Sequence, residues 1–252
     1  MTVALRAEAR KLLTTQVWFW MVVLSAALTL LVASLVSAFT SPDDIGIPIE
    51  ALLNGVIGFA VLISSVLGVI GVTGEYRHLT VTPTFLSVPR RGTVITAKLV
   101  TYLITGLLLG VLTVVLALAV ATPWLRGRGI DVDLGANSTM RIIIGGIIAS
   151  GIWGVIGIGV GALLRNQVAA VVGIVLYRFL IEGILSAIPK VKSAYPYLPG
   201  GATNSLLNTA DPNVNDSTLH LLSPWAGGAL LLAYGLVFAI VGTMLTVRRD
   251  VT

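Results

Sequence analysis

Residues 99–121 read LVTYLITGLLLGVLTVVLALAVA, twenty-three positions without one charged side chain. Coiled as an α-helix at 1.5 Å per residue, the run is about 35 Å long, enough to cross ~30 Å of hydrocarbon. A helix apolar on every face for that length cannot present a polar side to water. Working outward, five more runs share the character: 17–39, 51–72, 142–164, 168–188 and 225–247. Only the stretch 168–188 carries charge, as Arg178 and Glu182. The whole chain agrees, with 56% hydrophobic and 11% charged residues, against about 25% charged in an ordinary soluble domain. Mean hydropathy is +0.97. The expectation is an all-α membrane protein, a single transmembrane domain over 1–252 with six transmembrane helices. The first run is too long for a signal-peptide core and no small-residue cleavage site follows it, so it is read as a true span.

The loops give the orientation. One side holds both termini and Arg6, Arg10, Lys11, Arg77, Arg90, Arg91, Lys98, Arg165, Arg248 and Arg249; the other holds Arg126, Arg128, Arg141, Lys190 and Lys192. The positive-rich side is expected in the cytoplasm, which places the N- and C-termini there. The net charge of +5 flanks apolar runs instead of collecting on a soluble module. That points to the lipid bilayer as partner and away from nucleic acid. Residues 2–16 suit an N-terminal interfacial amphipathic helix, with Leu5, Ala9, Leu12 and Gln16 on one face and Arg6 and Arg10 on another. A plain positive anchor before the first span is the alternative. Trp18 and Trp20 fall where an aromatic belt belongs.

Two connections are long: 73–98 on the cytoplasmic side and 189–223 on the external side. The second carries Pro189, Pro196, Pro199, Gly200, Gly201 and Pro212, which break it into short pieces. It either dips into the membrane edge near Leu206 and Leu207 or lies on the surface. Glycine crowds the fourth span, where Gly157 and Gly161 form a G-x-x-x-G pair, as do Gly106 and Gly110 in the third. Such residues let helix backbones approach closely in lipid. The contact they serve is either packing inside the bundle or a moving or dimeric interface. In the fifth span Arg178 lies about 15 Å in by helix rise, with Glu182 at i+4. Charges at that depth face protein or water, so the two form either an ion pair locking helices or a polar spot on a solute path.

Catalytic signatures are missing. The sequence contains no G-x-x-x-x-G-K-[ST] and no H-E-x-x-H, and its two histidines, His78 and His220, fall in loops on opposite sides. Cysteine is absent, which removes disulfides, thiolate metal sites and thiol nucleophiles. The expectation is a non-enzymatic chain with no catalytic, cofactor-binding or metal-binding residues of its own.

The stretch from Gly74 through Glu75-Tyr76-Arg77, Thr80, Thr82, Pro83, Phe85 and Leu86 to Pro89-Arg90-Arg91, followed by Lys98, resembles the loop between spans two and three of ABC-2 type permease subunits, the membrane parts of bacterial ATP-binding-cassette exporters. Glu182 and the run Tyr197-Leu198-Pro199-Gly200-Gly201-Ala202 resemble that family's segment before the last span. The resemblance extends over the chain in span count and spacing. It implies the ABC-2, type V exporter-like transmembrane fold, with 75–91 as a coupling helix seated in a groove of an ATPase subunit and an interfacial N-terminal helix. Also implied are two ATPase copies and a second permease chain, identical or homologous, in a bacterial cytoplasmic membrane. ATP and Mg would sit on the partner ATPase. The lack of a P-loop suits that division of labour, and Tyr197, Pro199, Gly200 and Gly201 become a candidate external gate. The apolar spans suggest an amphipathic or lipid-like solute, such as a drug, lipid or peptide. An ion-coupled secondary transporter is the first rival reading, although the halves show no matching broken helices. A membrane scaffold or channel component is the second, and an intramembrane protease lacks the histidine it would need.

Overall fold

A computed structural model of the chain describes residues 2–40, 48–78, 91–188, 192–207 and 221–248. Among these the secondary structure is entirely helical: α1 (Thr2–Thr14), α2 (Gln16–Phe39), α3 (Pro48–Arg77), α4 (Arg91–Gly127), α5 (Asn137–Leu164), α6 (Gln167–Leu176), α7 (Glu182–Ala187), α8 (Pro199–Leu207) and α9 (Pro224–Arg248). A π turn, Tyr177–Ile181, joins α6 to α7, and a 3-10 turn, Lys192–Tyr197, precedes α8. Six helical stretches are long and apolar enough to cross a membrane: α2, α3, α4, α5, α6 continued through the π turn into α7, and α9. The chain is a multi-pass membrane protein by that measure.

The helices overrun the apolar runs that announce them. Helix α3 begins before residue 51 and continues past 72, and α4 runs from Arg91 to Gly127, well beyond 99–121. Hydrophobicity marks the stretch that lipid can solvate, whereas a helix ends where its backbone groups find other partners. At Thr15 the backbone is extended and separates α1 from α2. The Thr15 hydroxyl donates to Leu12 O at 2.8 Å and Trp18 Nε1 donates to Leu13 O at 2.9 Å, so side chains occupy two final carbonyls of α1. Trp18 therefore turns partly inward, while Trp20 stays exposed. Gln16 is the first residue of α2 and is exposed, so the face expected to run from Leu5 to Gln16 stops short of it. At the other end of α2, Arg128 Nη1 donates to Ser37 O and Ala38 O at 2.7 and 2.8 Å, a cation on a helix C-terminus.

Helices α3 and α5 form the inner pair, and the other spans wrap them while turning apolar side chains outward: Phe19 and Leu31 on α2, Leu108 and Val115 on α4, Leu232 and Leu236 on α9. The inner contact depends on small residues. A Cβ at Gly157 would collide with the Ser65 carbonyl, and one at Gly161 would press on Val69. Gly106 of α4 lies equally close to Ser64 and Ser150. The Ser64 hydroxyl uses this proximity to donate to Ser150 O at 2.6 Å. Both G-x-x-x-G pairs thus pack inside the bundle, where close approach and hydrogen bonds replace a hydrophobic force that lipid does not supply.

Within the long connection after α7, the described helix α8 enters the bundle. All of α8 except Leu206 is buried, packed against α5 and α9. Pro199 opens it, at the one turn of a helix where a missing N–H breaks no hydrogen bond.

Candidate functional site

Two groups of charged residues lie at different levels of the bundle. The first joins α1 to the roots of the 79–90 segment. Lys98, near the start of α4, is buried, and its ammonium donates to Glu8 Oε2 at 2.6 Å, Glu75 Oε1 at 3.1 Å and Gly71 O at 3.1 Å. An ammonium has three donors, and all three are used. Lys11 bridges the same two acids, 2.9 Å from Glu8 Oε1 and 2.8 Å from Glu75 Oε1. Two cations and two anions close the cluster with no net charge. Burial works against ionising Glu8, but the Lys98 charge and hydrogen bonds from Lys11 and Lys98 outweigh it and hold the carboxyl below its ordinary value. For Lys11, desolvation likewise opposes the charge, and hydrogen bonds with Glu75 and Glu8 outweigh it and raise the ammonium.

By sequence alone, Lys98 can join Arg90 and Arg91 in holding the next helix at the lipid headgroups through its long stem. Instead Lys98 turns inward, because Glu8 and Glu75 supply acceptors that desolvated ammonium requires. Helix α1 is organised around the same demand. Its most buried residue is Glu8, with Leu5, Ala9 and Leu12 only partly covered. Sequence reasoning missed this role, although Glu8 is the lone acid between residues 2 and 16, among Arg6, Arg10 and Lys11.

Of the expected coupling residues, Glu75 enters the cluster. The Tyr76 ring lies under the Arg165 guanidinium, 5.3 Å from its centroid, in a cation–π contact. Arg77 Nη1 approaches Gln167 Oε1 at 3.5 Å. Three successive side chains thus tie the end of α3 to α1, to the turn after α5 and to the start of α6. That turn is compact: Arg165 adopts a left-handed conformation (φ 52°), and Asn166 Oδ1 caps α6 by accepting from Ala169 N at 3.1 Å. Thr80, Thr82, Pro83, Phe85, Leu86, Pro89 and Arg90 lie outside the described residues, as does the side chain of Arg91.

The second group sits in the fifth span. Arg178 Nη1 is 2.9 Å from Glu182 Oε2, so the two residues pair. Glu182 also accepts from the Tyr177 hydroxyl at 2.8 Å and from Gly200 N at 2.6 Å. The sequence announces the Arg178 contact by i, i+4 spacing. It gives no sign of Tyr177, which reaches Glu182 only because a π turn intervenes. Around the same seat Trp153 Nε1 donates to the Thr203 hydroxyl at 3.0 Å, Asn204 Nδ2 to the Tyr195 hydroxyl at 2.7 Å, and the Tyr234 hydroxyl to Tyr197 O at 2.8 Å. Pro199, Gly200 and Gly201 are buried there, whereas the Tyr197 side chain is exposed.

Among the described residues no cluster of three or more His, Cys, Asp or Glu could hold a metal ion. The ionic contacts are of two kinds, a cluster that joins α1, α3 and α4 and a pair within the fifth span. Compared with known proteins, the chain matches no protein-family model and no curated protein.

Proposed function

We propose that the chain is the permease subunit of an ATP-binding-cassette exporter of the ABC-2 type. In this reading it moves an amphipathic or lipid-like solute across a bacterial cytoplasmic membrane. Two copies of a separate ATPase hydrolyse ATP with Mg, and a second permease chain completes the path. The chain itself performs no catalysis. Both termini and the 73–98 connection lie in the cytoplasm, α1 lies along the membrane surface, and the hairpin containing α8 forms part of the exit.

The observation that carries this reading is the ionic cluster of Glu8, Lys11, Glu75 and Lys98. It ties both roots of the 79–90 segment to α1, and α1 leads through Thr15 into the first span. A segment so anchored can pass a push from a docked ATPase to three helices together. Unanchored, the same push would be absorbed by bending. The test is to co-express the chain with an ATPase encoded beside it and to measure ATPase stimulation in proteoliposomes. Charge reversal at Arg90 and Arg91, or Phe85→Ala, is expected to abolish stimulation while membrane insertion persists. Undiminished stimulation in both variants would remove the coupling role of this segment. Solute flux driven by an ion gradient through the chain alone would replace the reading with that of a secondary transporter.

A further inference from the structure

Glu182 is 2% exposed, and its carboxylate gathers donors from two separate parts of the chain. The Tyr177 hydroxyl and Gly200 N meet Oε1, and Arg178 Nη1 meets Oε2. The π turn makes this possible. Its backbone bond runs from Glu182 N to Tyr177 O, so residues five apart stack along the helix, while in an α-helix they would diverge. Tyr177 and Arg178 can then both flank Glu182, and the carboxylate is aimed at the N-terminal turn of α8, where helix-end N–H groups favour an anion.

Two neutral hydrogen bonds also seat α8, from Trp153 to Thr203 and from Asn204 to Tyr195, and Leu207 is buried at its end; the Glu182 bond is the one with a carboxylate acceptor. From Gly200 to Ser205 the residues are small or polar. The face of α9 beneath it is equally smooth, since a Cβ at Gly227 would strike Ser205 and the Ala202 carbonyl. Such surfaces approach closely but interlock weakly, and a helix of nine residues has little intrinsic stability. At this N-terminal end, polar bonds therefore supply much of what seats α8.

We infer that Glu182 is a latch on α8: its bond to Gly200 holds the helix between α5 and α9, and releasing that carboxylate lets α8 move out of the bundle. The inference rests on the reading of this hairpin as part of the exit and names the residue that governs it. Arg178 and Tyr177 are positioning residues, whose hydrogen bonds keep the carboxylate pointed at α8. Gly200 is needed because a Cβ there would collide with the Glu182 carboxylate.

The chain contains no cysteine, so single reporters can be introduced cleanly. Ser205→Cys places a thiol on buried α8, and Ser65→Cys places a control thiol in the inner α3–α5 contact. Each is purified in lipid nanodiscs and exposed to a water-soluble maleimide, which reaches both membrane faces. Glu182→Gln removes the charge, and Gly200→Ala displaces the carboxylate without altering charge. Each is expected to speed labelling at position 205 about tenfold, while position 65 stays silent and the double variant labels no faster than the quicker single one. Glu182→Asp, which shortens the reach but keeps the charge, is expected to fall between. Unchanged labelling at 205 in both single variants would overturn the latch. So would labelling that rises together at 205 and 65, since Glu182 would then hold the whole bundle. The assay uses no ATPase, so failure to find an ATPase partner would leave its result standing.

Discussion

Lys98 Nζ lies 2.6 Å from Glu8 Oε2, although the residues stand ninety positions apart, and both side chains are buried. The contact converts the N-terminal helix from a flanking segment into a structural partner of α4. With Lys11 and Glu75 it completes a neutral cluster, in which each charge has at least two ionic or hydrogen-bonding contacts. Removing a single member leaves the cluster with one unbalanced charge in a partly buried place, which is the costly case in low dielectric.

Glu8→Met and Lys98→Met are each expected to destabilise the purified chain by about 3–5 kcal/mol. The double variant should lose less than the sum, because the remaining Lys11 and Glu75 still pair. Thermal unfolding in a fixed detergent, read as a double-mutant cycle, measures this. Additive losses would mean that the cluster is not a unit.

The docking of α1 should also depend on pH at the extremes only. Glu8 is held below its ordinary value of 4.5, so its contribution is complete above that value and is lost as pH falls further. Lys11 is raised above its ordinary 10.5, so its contribution is complete below that value and is lost as pH climbs further. Protection factors of the α1 amides, that is exchange corrected for its intrinsic pH dependence, should therefore be flat between these limits and fall outside them. Loss of protection centred near neutral pH would contradict the assignment.

For the pair in the fifth span, Arg178→Met and Glu182→Met should be coupled by about 0.5–3 kcal/mol, with the double variant less damaged than the sum. The same cycle on Arg6 and Glu182 should show no coupling, since Arg6 is exposed on α1. Melting temperatures of the four proteins in each cycle decide the question.

The inner glycines should tolerate no side chain. Gly157→Val drives atoms into the Ser65 carbonyl and is expected to cost at least about 1–3 kcal/mol, the range for overpacking a core. Gly58, on α3, has open space where a Cβ would stand, so Gly58→Ala should change stability by about 0.5 kcal/mol or less. Yield and melting temperature of the two variants compare them directly. Equal losses would show that glycine serves helix flexibility here instead of close packing.

The uncharged run 99–121, its five counterparts and the i, i+4 spacing of Arg178 and Glu182 were legible because each is a local pattern. Twenty apolar residues need lipid whatever surrounds them, and a helix puts residues four apart on one face. The partners of Glu8 and Lys98 were not legible, since nothing local tells a buried ammonium from one that reaches the headgroups. Tyr177 escaped for a different reason: helical periodicity assumes an α-helix, and the π turn breaks that assumption at the residue where it matters. The entry of α8 was legible only as one of two alternatives, because its small polar residues suit a surface loop as well as a close-packed seat. The sequence by itself thus determined that the chain has six segments long and apolar enough to cross a membrane, and which segments these are, since transfer into hydrocarbon depends on composition along one helix. Tertiary structure alone decided which charges neutralise one another and which short helix enters the bundle, because those depend on atoms that the chain brings together from far apart.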